Sequence, residues 1–129
     1  MSPESNSVLL IDDNATVRIA LRSMFEGAGF VCFECEDAPQ ALRRAKQLQP
    51  DLILLDFSMP RMNGIEAAPL LKKLLPQTPI VMFTMFATET FTQVALAAGV
   101  TEVVSKERGN LIMARVQSIL HPQEPLPAR

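Results

Sequence analysis

Five short apolar runs punctuate the chain, at residues 7–11, 30–34, 51–55, 80–83 and 102–105. Most are nearly continuous in Val, Ile, Leu and Phe rather than alternating with polar residues. That pattern predicts strands buried on both faces of a parallel sheet. A longer stretch with apolar residues at helical spacing follows each run. From Val17, residues Ala20, Leu21, Met24 and Phe25 fall on one face of a first helix, which Gly27 stops. Asp37 followed by Gln40 is a capping-box start for a second helix reaching about Leu48, and Asn63 followed by Glu66 for a third reaching about Leu75. Phe91, Val94, Ala95 and Ala98 line a fourth that Gly99 closes. Asn110 is the expected cap of a fifth, with Ile112, Val116, Ile119 and Leu120 facing inward.

A strand–helix unit repeated five times, with right-handed crossovers, predicts an α/β fold of flavodoxin-like type. Its sheet would have five parallel strands in the order 2-1-3-4-5, with helices on both faces. The domain is expected over residues 1–120, and residues 121–129, with Pro122, Pro125 and Pro127, read as a tail or linker stub. Pro69 conflicts with a regular third helix, because it removes an amide donor and crowds the preceding turn at roughly 3 kcal/mol. A bend, or a helix that becomes regular only late, is expected there.

The length of 129 residues fits one domain, and 48% hydrophobic residues exclude general disorder. Twelve basic against fourteen acidic residues, a net charge of −2, leave no excess for a nucleic-acid backbone. No apolar run approaches the roughly twenty residues that span a bilayer. The N-terminus has neither the basic start nor the apolar core of a signal peptide, so a cytoplasmic location and no membrane partner are expected. Cys32 and Cys35 stand at C-x-x-C spacing, but residues three apart on a strand point to opposite faces. They read as two structural thiols, and His121, the single histidine, as a solvated residue.

Ligands of an open parallel sheet bind beyond the carboxyl ends of its strands. The first run ends there in Asp12 and Asp13, the third in Asp56, the fourth in Thr84 and the fifth in Lys106. Glu34 and Glu36, after the second run, are expected to lie off the crevice. Each residue alone has a plainer reading: a helix cap, a loop carboxylate, a loop hydroxyl, a surface lysine. Together they converge on one pocket. Two carboxylates about 5 Å apart repel by roughly 3 kcal/mol at an effective dielectric of ~20. Three of them, Asp12, Asp13 and Asp56, should bind protons or a cation. All-oxygen ligands favour Mg2+, Mn2+ or Ca2+, and an incompletely caged site suits Mg2+ completed by phosphate oxygens. Lys106 and the Thr84 hydroxyl supply donors for the rest of a phosphoryl group. With no G-x-x-x-x-G-K-[ST] loop, ATP is not the expected direct donor. Asp56, central at the end of the third run, is the best nucleophile.

With these residues in view, the chain resembles the receiver domain of bacterial two-component response regulators, over about residues 7–120. The motifs are VLLIDDN (8–14), PDLILLDFSMPRMNG (50–64), PIVMFT (79–84) and GVTEVVSK (99–106). The resemblance implies that Asp56 is the phospho-acceptor. It implies that Asp13, Asp56 and the main-chain carbonyl of Ser58 ligate Mg2+, with Asp12 acting through a metal-bound water. Thr84 and Lys106 would engage the phosphoryl group and remodel the face of the fourth helix, fifth strand and fifth helix. The donor would be a phosphohistidine on a partner histidine kinase or phosphotransfer protein, and the domain would catalyse only its own phosphorylation and dephosphorylation. An effector domain or a homodimer would use the remodelled face.

Three positions depart from the family pattern. Val103 stands where a Tyr or Phe is common. Met85 follows the hydroxyl residue where Ala or Gly is usual, with Phe86 next. Glu107 follows Lys106 in place of a proline. These departures motivate an alternative from another class: a receiver-like interaction module that works without phosphorylation. A hydrolase acting on an external phosphoester lacks a second group of residues to form a substrate cleft. A flavin-binding domain is disfavoured by Asp-Asp-Asn where a Ser/Thr/Gly phosphate cradle would stand.

Overall fold

A computed structural model of the chain describes residues 6–122. The strands are β1 (Ser7–Ile11), β2 (Val31–Cys35), β3 (Leu52–Leu55), β4 (Ile80–Thr84) and β5 (Glu102–Ser105). The helices are α1 (Ala15–Gly27), α2 (Ala38–Leu48), α3 (Gly64–Leu74), α4 (Glu89–Ala97) and α5 (Ile112–Leu120). All strand pairings are parallel, in the order β2-β1-β3-β4-β5, as expected from the βα repeat. The tail expected over 121–129 lies outside the described residues from 123 onward.

Successive side chains on a strand point to opposite faces, and both faces of this sheet are covered. Leu9, Ile11, Ile53, Leu55, Ile80 and Met82 face one core, closed by the alanines of α2 and α3, by Leu71 and by Ala95 of α4. Val8, Leu10, Leu52, Leu54, Val81 and Phe83 face the other, closed by Leu21 and Phe25 of α1 and Ile112 and Val116 of α5. This is why the central runs are apolar at every position. Cys32 packs in the second core and Cys35 in the first, both as free buried thiols. His121 is exposed, with Nε2 2.8 Å from Asn6 Oδ1. Among the described residues no helix is long and apolar enough to cross a membrane.

Several local expectations are corrected. β2 is shifted by one residue, leaving Phe30 buried just before it against Phe25 at 5.1 Å between ring centroids. α1 starts at Ala15, two residues before the apolar pattern, where Asn14 Oδ1 accepts from the Val17 amide as the helix cap that Asp13 and Asn14 offered by residue type. α4 likewise starts at Glu89 under a Thr88 cap. Asp37 caps α2, but Gln40 returns its side chain to the Glu36 amide rather than to Asp37. Asn63 and Glu66 form the full reciprocal box expected for α3. Asn110 does not cap α5. Residues Lys106–Leu111 form a 3-10 segment broken at Arg108 (φ −116°, ψ 45°). The part after the break runs into that helix, with the Ile112 amide donating to Gly109 O, so α5 begins on helical backbone without a side-chain cap.

Pro69 neither interrupts α3 nor delays it; the helix is continuous from Gly64. The box secures the first turn, and Pro69 faces solvent. Water can therefore meet the carbonyl that its missing amide leaves unpaired.

Candidate phosphoryl site at the strand ends

Hydrogen bonding of the sheet continues one residue past two strand ends and so aims the first two carboxylates. The Asp56 amide donates to Ile11 O at 2.9 Å, and the Asp12 amide to Cys35 O at 3.2 Å. Ile11 pairs with Leu55, so Asp12 and Asp56 emerge side by side from the two central strands. Both are buried, at 3% and 7% exposure, whereas Asp13, next along the chain, is exposed. One carboxylate oxygen from each of the three lies within 4.8 Å of the others.

β5 delivers the cation. Lys106 Nζ stands 3.0 Å from Asp12 Oδ2 and 3.2 Å from Asp56 Oδ1, with 6.0 Å to the Phe83 ring centroid. Asp12 Oδ1 accepts from the Asn14 amide at 2.9 Å. One ammonium thus serves two buried carboxylates beside a third. Burial, followed by the charge of Asp12, pushes Asp56 up to about 6, against the pull of Lys106. Burial alone would lower Lys106, but its bonds and charge attraction to Asp12 and Asp56 outweigh that and raise it. The cluster is short of positive charge. Its donors are all hard oxygens, two of them on buried carboxylates, a set that fits Mg2+ better than a softer ion.

Thr84 ends β4 at 1% exposure, and its hydroxyl accepts from the Phe86 amide at 3.1 Å, turned toward the following loop. Ser58 is exposed in the loop two residues beyond Asp56. The Lys106–Glu107 peptide is trans. Val103 is partly buried against the first core. Met85 and Phe86 are 57% and 51% exposed, and the Phe86 ring meets Phe57 edge-on at 5.6 Å, which in turn meets Phe91 at 5.0 Å.

Three supporting residues escaped the sequence reading. Gly64 packs so tightly behind Asp56 that a Cβ there would lie 2.6 Å from Asp56 O and 2.8 Å from Met82 Cε. Arg61, in the same loop, adopts left-handed backbone at φ 71° and pairs with the Asp37 carboxylate. Arg18 Nη1 donates to the main-chain carbonyl of Asp12 at 2.6 Å. Glu34 lies off the carboxylate cluster, as expected, but is tied to it through Arg18. The available signal was Arg18's place one turn after the Asn14 cap, since helical side chains lean toward the helix N-terminus.

The chain is similar to known proteins over most of its length. The family model described as "Response regulator receiver domain" matches residues 8–117. A putative transcriptional regulator of Pseudomonas aeruginosa is 36% identical over 82% of the chain, which spans 51% of that protein. Chemotaxis protein CheY of Thermotoga maritima is 31% identical over 77% of the chain and 83% of its own length. The crystal structure of a two-component response regulator of the LuxR family from Aurantimonas sp. SI85-9A1 superposes with a TM-score of 0.86 at 26% identity. That match covers 95% of this chain and 90% of the other. The chain spans about half the length of the first of these relatives. By sequence, by fold and by the extent of both matches, it belongs to the response regulator receiver domains of two-component signal transduction.

Proposed function

We propose that Asp56 accepts a phosphoryl group from a phosphohistidine of a partner histidine kinase or phosphotransfer protein. The observation that carries this reading is the convergence of three carboxylates within 4.8 Å around a single lysine. An Asp56 carboxylate oxygen forms the new bond to phosphorus, the phosphorus–nitrogen bond breaks, and the imidazole leaves with its electron pair and takes up a proton. With a pKa of about 6, Asp56 is mostly ionised at neutral pH and available as the nucleophile. Asp12, Asp13, Asp56 and the Ser58 main-chain carbonyl are the residues that would hold Mg2+. When bound, the ion supplies neutralising charge for the phosphoryl oxygens. Lys106 would exchange its bond to Asp56 for one to the new phosphoryl group, and water attack on that group would return the free carboxylate and inorganic phosphate.

The readout follows from the Thr84 bond. If the hydroxyl turns to donate to the phosphoryl group, the Phe86 amide loses its acceptor and the loop before α4 is released. Val103 has no ring to move, so Phe86, which meets Phe57 edge-on, is the side chain that carries the change through Phe57 to Phe91 of α4 and so to the face that α4 forms with β5 and α5. That face would meet an effector domain or a second copy. Beryllofluoride with Mg2+, which mimics the acyl phosphate, should shift amide resonances around Asp56 and along α4 in wild type and leave Asp56→Asn unmoved. Unchanged wild-type spectra sink the reading.

Val103 also favours a second reading, an interaction module indifferent to phosphorylation. Equal partner affinity for the phosphorylated and free forms would select it, because a modification without differential affinity shifts no equilibrium.

A further inference from the structure

The carboxylate pocket is braced from outside by a charged network that the phosphoryl chemistry does not use. Arg18 lies in α1, four residues beyond its cap, with a side chain only 15% exposed. Its guanidinium makes two bonds at once: Nη1 to the main-chain carbonyl of Asp12 at 2.6 Å, and Nε to Glu34 Oε1 at 3.0 Å. Glu34 on β2 is itself held. Arg22 Nη1 donates to its Oε2 at 2.7 Å, and Arg44 Nη1 donates to its main-chain carbonyl at 2.8 Å. The bond from Arg22 and then that from Arg18 outweigh burial and keep the Glu34 carboxyl below the usual carboxylate range, so the anchor stays ionised.

The carbonyl that Arg18 grips belongs to the peptide joining Asp12 to Asp13. Fixing that peptide plane fixes the backbone from which Asp13 projects, and Asp13 is exposed, so its backbone does most of the aiming. We propose that Arg18 is a positioning residue for the divalent-cation site, setting the Asp12–Asp13 peptide while Glu34 and Arg22 lock its guanidinium. The inference rests on the Mg2+ reading above. It also requires arginine specifically. A planar fork serves a carbonyl and a carboxylate together, whereas lysine offers the same charge without the fork. Arg18→Lys keeps the positive charge, so a weakened divalent site in that variant reports the lost fork rather than a change of charge.

Mg2+ titrations of the full chain, followed by amide resonances, compare wild type, Arg18→Lys and Glu34→Gln, with thermal unfolding recorded for each. Arg18→Lys should weaken Mg2+ binding by roughly tenfold or more, the scale typical of residues that orient metal ligands. Glu34→Gln should weaken it in the same direction by less. Both should do so at temperatures where the protein is folded, and a residue needed only for stability would leave the folded protein's affinity unchanged. Arg18→Lys binding within twofold of wild type, or tighter, overturns the proposal. If that variant does not fold, Arg18→Gln decides on the same criterion, because it removes the cation and on charge alone would bind Mg2+ more tightly than wild type. A wild type that binds no Mg2+ at millimolar concentration overturns the Mg2+ reading together with this inference, whereas binding that both variants retain overturns this inference alone.

Discussion

At the scale of single residues, the pocket is held by a charge imbalance. Lys106 is the one ammonium bonded to Asp12 and Asp56 among the described residues, and Asp56 holds its proton up to about 6. Unfolded, that carboxyl titrates near 3.8, so between these values the folded state binds more protons than the unfolded chain. Stability should therefore fall as pH rises from about 4 to about 6, by up to about 3 kcal/mol from this group. Urea unfolding across that range should show wild type losing stability relative to Asp56→Asn, a difference in which the opposite slope from Glu34 and Asp37, both held below the usual carboxylate range, cancels. Mg2+ should shrink that difference, because a bound cation favours the ionised carboxylate in the folded state. A stability that climbs with pH by the same route in both proteins would contradict the assignment of the proton to Asp56.

At the scale of elements, the sheet's own hydrogen bonds place the chemistry, and the loops behind it leave no slack. Gly64 is the clearest case: a Cβ would meet backbone at Asp56 O and at Phe57 Cα, 2.6 and 3.0 Å away. Gly64→Ala should cost roughly 1–3 kcal/mol in urea unfolding, the scale of overpacking, and weaken Mg2+ binding by displacing Asp56. Unchanged stability would show that the loop yields more easily than this packing allows. The strands and the polar groups at their ends were legible in the sequence because burial on both faces leaves a continuous apolar run that stops where the site begins. Helix starts were less legible. Asn14 was readable as a cap by residue type, but Thr88 adds a polar first turn that apolar spacing does not record, and the 3-10 segment before α5 removes the need for the cap expected at Asn110. Pro69 misled because its cost depends on whether solvent reaches the orphaned carbonyl, which a linear pattern does not show. Arg18, Glu34 and Gly64 act through contacts between elements, and no spacing within one element announces such contacts.

At the scale of the whole molecule, phosphorylation matters only as far as it changes the relative free energies of two arrangements. Turning a 1:99 equilibrium into 99:1 takes about 5.5 kcal/mol of differential interaction. Here that energy would enter at Asp56 and Thr84 and leave through Phe86 toward α4, since Val103 offers no ring on β5. Phe86→Ala should leave phosphorylation of Asp56 intact while shrinking the accompanying resonance shifts on α4 and β5. Shifts of wild-type size in that variant would place the relay elsewhere. The account as a whole stands on Asp56 as a Mg2+-dependent phosphoryl acceptor. Intact-mass measurement after incubation with a small acyl phosphate tests this most directly. Wild type should gain one alkali-labile phosphoryl group when Mg2+ is present and lose that gain when the ion is chelated, and Asp56→Asn should gain none. An unmodified wild type, or a phosphoryl group retained in Asp56→Asn, would contradict the account.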